Sequence, residues 1–198
     1  MNSDWKIYNN ILEFIKFRGY KLETEKADKE QFKEQVLKEG YFRVPCSEKE
    51  KKFILDIYSR DTETANSPYN KSSFETIIKK IKKENNPHAY IMILKEEPRK
   101  SIQELYQDKE FTRGIDIKWY LNKNFLLIPF KAAHSGVHSI VEDENKVLNE
   151  LLCDKENLPL IKVSDPNCVW LGAEPGNIIK IITNSVITGE RINYRVVE

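Results

Sequence analysis

His134 and His138 stand four residues apart, a spacing that would put two imidazoles on one helical face. Cys153 and Cys168 are the available thiolate partners for a tetrahedral zinc site. Ser135-Gly136 argues against a helix between the histidines, however, and neither cysteine belongs to a Cys-x-x-Cys pair, so no metal is expected. A Cys-His nucleophile pair would need a third group to orient the base and donors for an oxyanion, and the sequence supplies neither. Asp56, on a strand-like run, invites a magnesium nuclease, but that chemistry wants a carboxylate two positions before a lysine on the next strand, and Lys95 has Ile93 there. Catalysis is therefore not expected, nor any cofactor. Cations remain. Arg99-Lys100 follow Pro98 at the start of a predicted helix and would reach phosphate oxygens. Lys79, Lys80, Lys82 and Lys83 oppose an apolar stripe and read as a solvated face.

The elements that must position these groups follow from periodicity and punctuation. Ser3 and Asp4 are placed to cap a helix carrying Trp5, Tyr8, Ile11, Leu12 and Ile15, closed at Arg18-Gly19. Asp28 with Gln31 makes a capping box for a second helix bearing Phe32, Val36 and Leu37, which Gly40 ends. Phe53–Tyr58 reads as a strand, residues 61–73 as a loop, and Phe74, Ile77, Ile78 and Ile81 as a helical stripe. Ala89–Leu94 is a predicted central strand, Ser101 with Glu104 a capping box for a helix with Ile102, Leu105 and Tyr106, and Phe125–Ile128 a further strand. Helices and strands in alternation predict an α/β layer structure with strands made parallel by helical crossovers.

Towards the C-terminus, Asp143 is placed to cap a helix whose Val147, Leu148, Leu151 and Leu152 would cover a small sheet. Asp165-Pro166 starts a short helix, because the carboxylate accepts a free backbone N–H where proline needs none to give, and Gly172 closes it. Pro175-Gly176 predicts a turn into the strand Ile178–Ile182. After a loop ending at Thr188-Gly189-Glu190, Arg191–Val196 alternates with period two. Ile192, Tyr194 and Val196 are expected to pack, leaving Arg191, Asn193 and Arg195 free to bind. The segment 158–198 carries four basic and four acidic residues. A neutral, strand-rich stretch with Trp170, Tyr194 and an arginine-bearing face suits a protein interface, although both aromatics also read as core.

The whole chain is consistent with this. Its 198 residues are 40% hydrophobic, enough for one large or two small packed cores. With 32 basic and 31 acidic residues the formal net charge is +1, which excludes a global field that would hold nucleic acid unaided. The apolar runs are strand-sized and Met1–Lys6 lacks a signal-peptide pattern, so neither membrane insertion nor secretion is expected. Three widely spaced cysteines, Cys46, Cys153 and Cys168, suit buried thiols in a reducing, intracellular compartment.

The order Asp165-Pro166, Trp170-x-Gly172, Gly176, Ile178-Ile-Lys-Ile-Ile182 and Tyr194-Arg-Val-Val197 resembles the C-terminal assembly domain of the fifth subunit of eukaryotic RNA polymerases, which is shared by polymerases I, II and III and has an archaeal counterpart. The resemblance runs without a gap from Leu158 to Val197. Trp5-Lys6-Ile7, ending in Arg18-Gly19-Tyr20, resembles the opening helix of the same subunit. The match is faint over residues 41–73 and returns at Lys82–Leu94 and the Pro98 loop. There the family's Thr-Pro-Ser-Ala motif approaches downstream DNA; this chain keeps Pro98 but flanks it with Glu97 and Arg99-Lys100. The two histidines resemble a family pair, with two fewer residues between them and Val137 where proline is usual.

The resemblance implies a non-catalytic structural subunit of a DNA-dependent RNA polymerase. It implies a three-layer-like α/β jaw domain over residues 1–130 and a small α+β assembly domain over 131–198. Partner contacts fall on Asp165, Pro166, Trp170, Gly172, Gly176, Lys180, Arg191 and Arg195, facing the largest subunit and the rest of the core. Pro98, Arg99 and Lys100 would lie near downstream double-stranded DNA, held weakly and within the complex. Magnesium would sit in the largest subunit, leaving this chain without cofactor or metal. Thr183-Asn184-Ser185-Val186 replaces the usual Arg-Pro-Ser-Glu, and Val169 the Arg before the aromatic. Losing those charges implies a changed partner surface and a divergent polymerase, such as that of a large DNA virus. The expected location is the nucleus if the copy is cellular, and host cytoplasm and virion if viral. The competing readings are a degenerate α/β nuclease and a transcription-complex adaptor.

Overall fold

The computed structural model describes residues 2–59, 67–84, 87–132, 136–185 and 189–198. They form two compact units, Met1–Leu126 and Leu127–Glu198. In the first, α1 (Asn2–Phe17) buries Ile7, Tyr8, Ile11, Phe14 and Ile15. Asp4 lies inside its first turn, buried and 3.6 Å from Lys95, so it forms an ion pair instead of the predicted cap. β1 (Lys21–Leu22) leads to α2 (Lys29–Glu39), where the predicted capping box forms: Asp28 accepts from the Glu30 and Gln31 N–H groups at 2.8 Å, and the Gln31 side-chain carbonyl accepts from Asp28 N–H at 3.0 Å. Gly40 closes the helix in the left-handed region.

β2 (Tyr41–Glu48) and β3 (Lys51–Tyr58) form an antiparallel hairpin. α3 (Lys71–Glu84), β4 (Ala89–Leu94), α4 (Lys100–Gln107) and β5 (Asp116–Leu121) complete a sheet of order β1-β2-β3-β4-β5, parallel from β3 to β5. α/β layering is thus present, but β2 is antiparallel to β3, since a short turn cannot make a parallel crossover. One expected strand is absent and a strand that was not expected stands in its place. Asp116–Leu121 is the fifth strand, and residues 125–128 are not a strand: Asn122–Phe125 is a 3-10 turn, followed by exposed Leu126 and Leu127.

Alternation assigns the faces. Tyr41, Ile54, Tyr58, Tyr90, Met92 and Leu94 meet the α3 stripe Phe74, Ile77, Ile78 and Ile81, together with Ile102 and Tyr106 of α4. On the opposite parity, Phe42 packs its ring on Tyr8 and Phe32, so α1 and α2 cover that side. Helices therefore lie on both faces. Within the sheet, Arg43 Nε and Nη2 donate to the two oxygens of Asp56 at 2.9 and 2.7 Å, Tyr90 Oη donates to Asp56 at 2.8 Å, and Tyr58 and Tyr90 hydroxyls meet at 2.6 Å. Burial raises the Asp56 carboxyl above its ordinary range, against the pull of Arg43. Burial also works to lower Arg43, but the Asp56 hydrogen bonds and charge outweigh it and raise that group.

In the second unit, β6 (Val137–Ile140), α5 (Glu144–Leu151), β7 (Leu160–Ile161), α6 (Pro166–Leu171), β8 (Ile178–Ser185) and β9 (Gly189–Val197) build a sheet of order β6-β8-β9-β7. Its pairs are antiparallel except β7 with β9. Among the described residues, no helix is long and apolar enough to cross a membrane.

Candidate docking face of the C-terminal unit

The predicted Asp165-to-Gly176 segment forms as its residue chemistry requires. Asp165 accepts from the Asn167 N–H at 2.8 Å, Pro166 occupies the first turn of α6, and Gly172 caps its end at φ 70°. Gly176 holds φ 93° while its N–H donates to Val197 O at 2.8 Å, so the turn is tied to the end of β9. α6 buries Cys168, Val169 and Trp170, and burial, with Asp165 nearby, pushes the Cys168 thiol up to about 11. Cys46 in the first unit is raised the same way, to about 12. Both are inert core thiols at neutral pH.

α6 settles which side of the small sheet is core. Cys168 and Ala173 pack with Ile179 and Val197, joined by Ile140, Ile161, Leu171 and Ile181. In the ladder, Ile179 opposes Arg195 and Ile181 opposes Asn193. The face of Arg191, Asn193 and Arg195, expected to be free, is therefore the α6 side. The face of Ile192, Tyr194 and Val196, expected to pack, is open at Ile192, 43% exposed, and closes through half-buried Tyr194 and Val196 to fully buried Ile178. The reason is Val197: the core takes the final valine of the strand, which shifts the buried parity by one residue. Arg191 and Arg195 are nevertheless exposed, and Arg195 Nη1 donates to Leu160 O at 3.1 Å. Trp170 is 1% exposed, with Phe130 edge-on at 5.4 Å, so within the free chain it is a core residue.

Across the open face, Val137, Ile182 and Ile192 form one cross-strand row, and Ser139, Lys180 and Tyr194 the next. Val137 is 66% exposed and Ile192 43%. Beside this row a cleft of about 420 Å3 is lined by Phe130, Lys131, Gly136, Val137, Ile182 and Thr183. Leu160, at the far margin, is 54% exposed. α5 is capped as predicted, Asp143 accepting from the Lys146 N–H at 3.0 Å, but it buries none of its residues. Leu151 is exposed, and Leu152 is 92% exposed in a left-handed conformation at φ 51°. The expectation that these leucines form core is thus corrected. An adjacent Leu-Leu pair running past the helix end cannot turn both side chains to one face, which is the signal that sequence reasoning passed over.

Elsewhere, the Pro98 loop is pinned. Pro98 is buried and its carbonyl accepts from Gln103 Nε2 at 2.7 Å, while Glu96 N–H donates to Tyr69 Oη at 3.2 Å. α4 starts at Lys100 with Arg99 in the cap position, so Ser101 and Glu104 do not form the predicted box; Arg99 and Lys100 are exposed. Asp56, the nuclease candidate, has both oxygens taken by Arg43 and Tyr90. His134 lies outside the described residues, and among those described no cluster of three or more potential metal ligands occurs.

Comparison with known proteins converges on one family. The profile described as "RNA polymerase Rpb5, C-terminal domain" matches residues 136–197. The DNA-directed RNA polymerase subunit Rpo5 of Methanococcoides burtonii is 39% identical over 62 residues, covering 30% of this chain and 80% of that protein. Its namesake in Nitrosopumilus maritimus is 38% identical over 77 residues, covering 38% of this chain and 92% of that one. The DNA-directed RNA polymerase RPB5 homolog of African swine fever virus is 25% identical over 184 residues, which spans 89% of this chain and 88% of the viral protein. On the strength of its C-terminal unit, the chain belongs to the Rpb5/Rpo5 family of DNA-directed RNA polymerase subunits.

Proposed function

We propose that this polypeptide is a non-catalytic, architectural subunit of an intracellular RNA polymerase, in which the C-terminal unit docks on the largest subunit and the N-terminal unit serves as a jaw beside downstream DNA. The observation that carries the reading is the bare apolar surface of the C-terminal unit: Val137, Leu152, Leu160 and Ile192 at 66, 92, 54 and 43% exposure. Of these, Val137 and Ile192 are joined through Ile182 into one cross-strand row, a contiguous apolar patch of the kind that marks an interaction surface. Lys180, half-buried in the Ser139–Lys180–Tyr194 row, and the Asp165-Pro166 and Gly172–Gly176 segment, tied through Gly176 to the end of β9, complete the proposed contact. Arg191 and Arg195, exposed on the α6 side of β9, flank it, where charges set orientation more than affinity.

The N-terminal unit supports the jaw role by being self-sufficient. Both faces of its sheet are covered, its acidic strand residue is neutralised internally, and its exposed Arg99 and Lys100 are carried on a loop pinned by Gln103 and Tyr69. Such cations would touch phosphates without reading sequence. Recovery of a tagged chain from native lysate tests the assignment. Stoichiometric recovery of the two largest polymerase subunits is expected; recovery of neither, or magnesium-dependent DNA cleavage by the purified chain, overturns it.

A further inference from the structure

The small sheet has two margins, and they are not equivalent. At one, β7 is two residues long and covers β9 only at Val196 and Val197, while the stretch of β9 beyond it is guarded by exposed Arg191 and by Arg195, whose Nη1 donates to the Leu160 carbonyl. At the other, β6 is hydrogen-bonded to β8 on one side only. The phase of that ladder is fixed by Val141, whose N–H donates to Ile178 O at 2.8 Å. Counting back in the same register, Ser139 and Val137 exchange bonds with Lys180 and Ile182, while His138 and Ile140 turn their N–H and C=O groups away from β8. Among the described residues, no backbone group bonds to those outward donors and acceptors.

An open margin normally carries a guard, such as a lysine, a proline or a bulge. β6, Val-His-Ser-Ile, has none of these. Its entry is instead built to close tolerance: a Cβ on Gly136 would lie 2.6 Å from Ile182 O and 2.8 Å from Thr183 Cγ2, at φ 70°. The margin is also continuous with the open face, because Val137 belongs both to β6 and to the Val137–Ile182–Ile192 row beside the Phe130 cleft. A helix or loop laid on that row would leave the outward amides of His138 and Ile140 buried and unbonded, which is costly. An extended strand satisfies them and extends the row in one step.

We propose that the β6 margin receives an extended strand of the polymerase subunit on which this unit docks, making a fifth strand of the sheet, with an apolar side chain beside Val137 and a small or polar one beside Ser139. This rests on the docking reading above, and the test separates the two. In the full chain, His138→Pro removes an outward N–H without touching the β8 ladder, and Ile192→Asp charges the open face. Each is co-expressed with the polymerase and scored by recovery of the largest subunit, after a thermal melt of the free chain.

His138→Pro is expected to reduce recovery about ten-fold, the loss of one or two interfacial hydrogen bonds. Normal recovery with His138→Pro but loss with Ile192→Asp overturns the added strand and leaves docking standing. Normal recovery with both overturns the docking face itself. Should His138→Pro fail to fold, hydrogen exchange on the wild-type chain decides. The His138 and Ile140 amides are expected to exchange freely in the isolated chain and to be protected in the polymerase; free exchange in both states overturns the proposal.

Discussion

Leu152 separates folding from docking more cleanly than any other residue. It follows α5 in the left-handed region at φ 51°, and its side chain is 92% exposed. A branched side chain at a position glycine occupies most cheaply costs about 1–2 kcal/mol of backbone strain, and the exposure means that no packing within the chain repays it. Leu152→Gly relieves that strain but adds about 0.5–1 kcal/mol of unfolded-state entropy, so the free chain should be unchanged or slightly more stable. Docking is another matter. If a partner covers the leucine, removing it forfeits about 1.5–3 kcal/mol of apolar burial, or roughly a ten- to hundred-fold loss of affinity. Denaturant melts of the free chain, paired with recovery of the polymerase at graded salt, read both quantities. A variant that melts earlier than wild type refutes the assignment of strain without packing, and one that melts normally and docks normally refutes Leu152 as part of the interface.

Arg43→Ala should destabilise the N-terminal unit by about 3–5 kcal/mol at neutral pH, because it strands the buried Asp56 carboxylate. Burial has already raised that carboxyl above its unfolded value of about 3.9; the variant raises it further, so its stability falls as pH rises through the folded value and its deficit should shrink between pH 8 and pH 5, and equal denaturant midpoint deficits at both would count against this. Replacing Arg99 and Lys100 together by Gln should lower the log–log salt slope of downstream DNA retention by the assembled polymerase by about two; an unchanged slope removes both from the duplex. Gly176→Val should lower the melting point of the C-terminal unit and weaken docking through backbone strain of about 1–2 kcal/mol at φ 93°, not through a clash, since an added Cβ meets nothing within 4 Å; an unshifted melt contradicts it.

Much of this was readable where the code is local. Asp28 with Gln31, Asp143, and Asp165-Pro166 with Gly172 each specify a helix boundary through groups within three or six residues, and all form. Features that depend on distant chain were not readable. β2 is masked by Pro45, which is tolerated because its missing N–H falls on the side where Glu23 bonds its carbonyl, away from β3. β5 hides because Trp119-Tyr120-Leu121 breaks a period-two pattern, while the stronger apolar run at Phe125–Ile128 drew the assignment. The inverted faces of β9 are the most instructive miss. Alternation separates Ile192, Tyr194 and Val196 from Asn193, Arg195 and Val197, but only the contact with Cys168 and Ala173 decides which set goes inside.

The two units differ in what they leave undone. In the first, the sheet is covered on both faces and its buried charge is answered by Arg43, Tyr90 and Tyr58. In the second, a cluster of Cys168, Ala173, Ile179 and Val197, with partly buried neighbours, must hold a sheet whose other face is closed at Ile178 but open from Val137 to Ile192. A unit of that size buries a smaller fraction of its surface on folding than a larger domain does and is marginal alone. Whatever binds its folded form therefore stabilises it by mass action. On this argument the melting transition of the C-terminal unit should rise on joining the polymerase while that of the N-terminal unit stays put. A chain whose two halves shifted together would show that the open face of the small sheet is not where assembly energy enters.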